Sequence, residues 1–158
     1  MTSRIQPHPD RRTLLLTLVG ASAFAALPHA SSPARAEASD MEAAIRAFTK
    51  GMQAQPGKVK IDISPLVENG NSASIGVFVD HPQTTEAFVR RIAVFNEKNP
   101  QPEVAVFHLN PRSGSSRVDT RIRLATTQHL AAIAELSDGS FWSDRVEVIV
   151  TIAACLDE

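Results

Sequence analysis

After the first forty residues, the hydrophobic period of the chain changes once. Met41, Ile45, Phe48 and Met52 fall at i, i+4, i+7 and i+11, which puts apolar side chains on one helix face, and Asp40 stands where it can cap that helix. Gly51 and the Pro56-Gly57 pair stop it. From Lys58 the period is two. Val59, Ile61 and Ile63 alternate with Lys60 and Asp62; Ala73, Ile75, Val77 and Val79 with Ser72, Ser74 and Gly76; Val118, Thr120, Ile122 and Leu124 with Arg117, Asp119, Arg121 and Arg123. Less regular apolar runs predict strands near Val89 to Phe95, Val104 to Leu109, Leu130 to Leu136 and Arg145 to about Ala154. Turn chemistry separates them at Asn69-Gly70-Asn71, His81-Pro82, Asn99-Pro100, Ser113-Gly114 and Asp138-Gly139. One short helix followed by about seven strands predicts an all-β chain, an immunoglobulin-like antiparallel β-sandwich.

The first 36 residues follow another pattern. A basic start with Arg4, Arg11 and Arg12 precedes an apolar run from Leu14 to Leu27 and a small-residue stretch, Ala34-Arg35-Ala36. That is the layout of a cleaved export signal, and the apolar run is shorter than the roughly 20 residues that span a bilayer. Arg11-Arg12 ahead of Thr13-Leu14-Leu15 suggests the twin-arginine route and a periplasmic destination. The expected organisation is a signal over 1–36, a helical segment over 37–57, the sandwich over 58–152 and a C-terminal arm over 153–158.

Charge and cysteine usage narrow the chemistry. Cleavage after Ala36 leaves 122 residues with 12 basic and 16 acidic side chains, a balance that argues against nucleic acid as a partner. No second apolar stretch approaches membrane-spanning length. Cys155 is the only cysteine, followed by Leu156, Asp157 and Glu158. It cannot form an internal disulfide, so it reads either as a small buried hydrophobe or as a reactive, conjugating thiol near a chain end. Parity along the last strand puts Val146, Val148, Val150, Ile152 and Ala154 on one face and Cys155 on the other.

Catalytic and metal chemistry find little support. Cysteine-protease chemistry needs a histidine in register with the thiol, and His81, His108 and His129 carry no such signature. Blue copper needs two histidines and usually a methionine around the cysteine, and nothing after Cys155 supplies them. The expectation is no catalytic set, no metal and no cofactor. Arg90-Arg91 and Arg121-Ile122-Arg123 form either an anion-binding or docking surface or plain solvated strand faces, and Phe141-Trp142 serves either core packing or an interface.

The stretches Glu68-Asn69-Gly70-Asn71, Glu97-Lys98-Asn99-Pro100, Phe107-His108-Leu109, Pro111-Arg112-Ser113-Gly114, Thr120-Arg121-Ile122-Arg123-Leu124, Ala134 to Trp142 and Val150 to Cys155 together resemble the SoxY family of sulfur carriers. The resemblance runs in order along nearly the whole chain after the leader. It implies an immunoglobulin-like sandwich paired with a SoxZ-like subunit, a carrier and not an enzyme, with Cys155 bearing the sulfur intermediate covalently. It also implies a haem conjugating enzyme, a thiosulfohydrolase and in some organisms a sulfane dehydrogenase acting on that intermediate. The arm departs from the family's usual Gly-Gly-Cys-Gly-Gly: this chain has Ala153-Ala154-Cys155-Leu156-Asp157-Glu158, which is stiffer, thicker and more acidic around the sulfur. The alternative is an exported sandwich that binds a partner and carries nothing.

Overall fold

The computed structural model describes residues 38–154; the leader segment, Cys155 and the three residues after it lie outside the described residues. Helix α1 covers Ala38–Phe48 and buries Met41, Ile45 and Phe48. Asp40 lies within its first turn instead of preceding it, where a carboxylate faces the positive end of the helix dipole. Lys50 (φ 56°) and Gly51 (φ 81°) turn left-handed, and Gly51 N–H donates to Arg46 O at 2.9 Å. This closes the helix, so Met52 falls beyond the apolar face and is half exposed.

Among the described residues nine strands follow: β1 Gln55–Pro56, β2 Val59–Asp62, β3 Leu66–Asn69, β4 Ala73–Val79, β5 Val89–Asn96, β6 Glu103–His108, β7 Arg117–Ile122, β8 Gln128–Leu136 and β9 Phe141–Ile152. The larger sheet has the order β1-β9-β8-β5-β6, with β3 also on β9, and the smaller sheet is β2-β4-β7. The expected all-β sandwich with one N-terminal helix is present. The two short strands β1 and β3 join the seven read from the sequence, and both pair with β9 in parallel. The last strand begins at Phe141 instead of Arg145.

The inward faces make the main core. Val59 and Ile61 of β2 and Ile75, Val77 and Val79 of β4 meet Ile92 and Val94 of β5, Leu130, Ala132 and Leu136 of β8, and Val148 of β9. Burying each large aliphatic side chain contributes roughly 1.5–3 kcal/mol. A second apolar layer lies on the other side of the large sheet. There Met41, Ile45 and Phe48 pack on Ala93, Phe95, Ala131, Ile133 and Phe141, and Phe48 meets Phe95 and Phe141 edge-on at 5.9 and 6.0 Å. Strands β5 and β8 are therefore apolar on both faces. A backbone irregularity between Val89 and Arg91 further disturbs the alternation of β5. A polar bond also crosses between the sheets: Ile61 N–H donates to Asp144 Oδ2 at 2.8 Å.

Candidate functional site

Cys155, the residue expected to carry chemistry, lies outside the described residues, and the description ends one residue before it. What is visible is the root of the arm. There β9 leaves β8 and runs beside β3, with Leu66 opposite Ile149, Val67 opposite Val150 and Asn69 opposite Ile152. Val150 N–H donates to Thr127 Oγ1 at 3.0 Å, and Thr151 Oγ1 donates to Glu68 O at 3.1 Å. Beyond the strand, Ala154 N–H donates to Leu124 O at 3.1 Å, while Leu124 N–H donates to Gly70 O at 2.8 Å. The Leu124 residue is thus a two-sided connector between the turn at Gly70 and the last described residue. Its side chain is fully buried.

Gly70 is buried in a 3-10 turn, Gly70–Ser72, that Asn69 caps by accepting from Asn71 N–H at 2.9 Å. A Cβ at position 70 would clash with Leu124 O and come within 2.9 Å of Ala154 N and 3.1 Å of Ile152 O. These are backbone atoms, so only glycine lets the three segments close to this distance.

The loop around Leu124 is pinned from the other side. Asn99 Nδ2 donates to Arg123 O at 2.9 Å, and Asn99 Oδ1 accepts from Ala125 N–H at 3.0 Å and from Gln128 Nε2 at 2.9 Å. Gln128 Oε1 in turn accepts from Lys98 N–H at 2.9 Å. Next to it Glu97 Oε2 accepts from His129 N–H at 3.1 Å and faces His129 Nδ1 at 2.9 Å. The His129 side chain, with help from its backbone N–H, holds the Glu97 carboxyl down at about 2. Three stretches far apart in sequence, around Gly70, Asn99 and Leu124, therefore converge where the arm leaves. Their amides and carboxamides position a chain and move no protons.

The remaining candidates are placed elsewhere. Arg91 pairs with Glu135 and lies 4.4 Å over the Phe48 ring, and Arg90 Nη2 donates to Ser137 O at 2.9 Å. Both arginines make contacts within the chain. Arg121 lines an open groove of about 680 Å³ beside β3, whose Arg117 is held by Asp62 at 3.1 Å and Asp119 at 2.6 Å. Those bonds raise the Arg117 pKa and lower that of Asp119. Phe141 packs in the helix layer, and half-buried Trp142 packs against the main core with Lys58 Nζ 4.4 Å over its ring. His81 is half-buried, and its Nε2 has no hydrogen-bond partner among the described residues. His108 ends β6 in the open, opposite Arg91. Among the described residues no three His, Asp or Glu side chains gather as metal ligands.

Sequence reasoning saw Gly70 and Asn99 only as turn residues and did not connect them with the arm. Their roles depend on contacts across 24 to 84 positions, which no local pattern signals. The one available hint was that both belong to stretches that carry the family resemblance.

A family model described as "Sulfur oxidation protein SoxY" matches residues 45–155. The chain belongs to the SoxY family. Membership places it in sulfur oxidation as a carrier subunit, with partners drawn from the Sox system. No curated protein sequence matches the chain. Among solved structures it is similar to the superoxide reductase (neelaredoxin) of Ignicoccus hospitalis, at 20% identity and a TM-score of 0.54 over 60% of this chain and 80% of that one. A putative superoxide reductase of Thermotoga maritima gives 21% and 0.52 over 65% and 89%. The superoxide reductase of Nanoarchaeum equitans gives 15% and 0.52 over 61% and 100%. At these identities the likeness concerns the sandwich fold alone.

Proposed function

We propose that the chain is a periplasmic sulfur-compound carrier that holds its cargo covalently on Cys155 and presents it to separate enzymes. The observation that carries this reading is that the SoxY family match extends through Cys155, the only cysteine in the sequence. The leader with Arg11-Arg12 supports export by the twin-arginine route. With thiosulfate as cargo, Cys155 S–H and thiosulfate would join through a new S–S bond, one proton going to water and two electrons leaving one at a time to one-electron acceptors supplied by the conjugating enzyme. A thiosulfohydrolase then adds water to the terminal sulfonate, releasing sulfate and a proton and leaving a persulfide on Cys155. A sulfane dehydrogenase, in organisms that have one, oxidises that persulfide. The carrier contributes a nucleophile and a docking surface and needs no cofactor of its own. Its permanent partner is a SoxZ-like subunit.

Mass spectrometry of the protein isolated from cells oxidising thiosulfate is expected to find sulfur adducts on the C-terminal peptide, and Cys155→Ser should abolish thiosulfate-dependent growth. An unmodified Cys155 under every sulfur-oxidising condition, or full growth of the C155S strain, would overturn the carrier role in favour of a plain interaction module. Co-expression with the SoxZ-like subunit should give a 1:1 complex that survives thiol reductant. Changing Arg11 and Arg12 to Lys should retain both subunits in the cytoplasm.

A further inference from the structure

We infer that Gly70, acting through Leu124, is the positioning residue for the carrier thiol: the contact Gly70–Leu124–Ala154 fixes where the arm leaves the sandwich. The inference rests on the carrier reading of Cys155 and adds to it a limit on reach. Ala154 N–H is bonded to Leu124 O, Leu124 N–H to Gly70 O, and the flanks of Leu124 to both ends of the Asn99 carboxamide. Cys155 follows Ala154 directly in the chain. Cargo on Cys155 is thus tethered one residue from a backbone clamp, and an enzyme that loads or unloads it must accept the end of the sandwich itself.

Gly70 fits the role because any side chain would force apart Leu124 O, Ala154 N and Ile152 O. The clamp needs no side chain from the arm, only the Ala154 N–H. That separates it from core packing, because a change confined to that N–H tests it without touching the interior.

The test is a nitroxide spin label on Cys155 of the full chain, alone and in complex with its partner subunit. Wild type and Ala154→Ser, which keeps the N–H, should show a slow component in the spectrum. Ala154→Pro removes the donor and should raise the ratio of fast to slow component by roughly two- to tenfold, the range a single hydrogen bond commands, with the melting temperature close to that of wild type. Gly70→Ala should move the spectrum in the same direction; if that variant does not fold, Ala154→Pro still decides. A wholly fast spectrum in wild type, or one that Ala154→Pro leaves unchanged, would overturn the clamp. Adducts on Cys155 are read separately by mass: adducts with a fast label remove the clamp and keep the carrier, while a slow, Ala154-dependent label without adducts keeps the clamp and removes the carrier.

Discussion

The two halves of β9 are held in different ways. From Phe141 to Val148 the strand pairs antiparallel with β8, and its ends are buried, Phe141 under the helix and Val148 in the main core. From Ile149 to Ile152 it pairs in parallel with the four-residue β3, and Ile149 and Ile152 are 52% and 64% exposed. The first half is fastened by apolar area, which tolerates small displacements. The second adds to the packing of Val67 and half-buried Val150 a set of backbone and hydroxyl hydrogen bonds and one close approach at Gly70, which does not. The two modes of fastening divide the strand into a half held by the core and a half held by local hydrogen bonds, which open at lower cost.

The largest effect should come from the first half and its supports. Phe95 is fully buried between α1 and the large sheet, so Phe95→Ala should cost about 3–5 kcal/mol of unfolding free energy in urea. A loss under about 1 kcal/mol would mean that the helix layer does not hold β8 and β9 in place.

At the root, Gly70→Ala should cost about 1–3 kcal/mol by overpacking against backbone. Its larger signature should be local, as faster hydrogen exchange at the Leu124 and Ala154 amides, whose acceptors are the groups displaced. Uniformly faster exchange through β5 and β8 would contradict the division between the two halves.

What the sequence disclosed follows the same division. The smaller sheet was legible because β2, β4 and β7 each turn one face to the core and one to water, so Val59 to Asp62, Ala73 to Val79 and Arg117 to Ile122 alternate. Strands β5 and β8 read less cleanly because Ile92 to Phe95 and Leu130 to Leu136 are buried on both sides. The start of β9 was hidden for a different reason. Ser143 and Asp144 follow Phe141-Trp142 without alternation, and Asp144 accepts the Ile61 N–H. The root of the arm was the least legible: β3 is four residues long, carries turn chemistry at its end, and is a strand only because β9 passes beside it.

Acid should probe the root at intermediate cost. His129 holds the Glu97 carboxyl at about 2, against an ordinary 4.5. The folded chain therefore prefers the ionised form, and this contribution is present above about pH 4.5 and lost as pH falls toward 2. Glu97→Gln should lower stability near pH 6 by about 1 kcal/mol, a figure discounted because water screens the half-exposed His129, and the difference from wild type should close by about pH 2. A difference independent of pH would mean that Glu97 acts through packing and not through its charge.

The smallest effect should come from a second glycine. Gly76 on β4 is buried like Gly70, and neither has the positive φ that reserves a position for glycine. A Cβ at Gly76 would come within 2.7 Å of Arg117 Nη2 and 2.8 Å of Asp119 Oδ1, which are the ends of two flexible, exposed side chains and not backbone. They can swing aside. The ion pair they would loosen is open to solvent and contributes little, and replacing glycine by alanine at a compatible position returns about 0.4–1 kcal/mol by restricting the unfolded chain. Gly76→Ala should therefore leave unfolding free energy within about 0.5 kcal/mol of wild type, and the Cys155 spin-label spectrum unchanged. If Gly76→Ala costs as much as Gly70→Ala, burial of the glycine alone explains both, and the backbone contact at Leu124 and Ala154 has no special part in setting the arm.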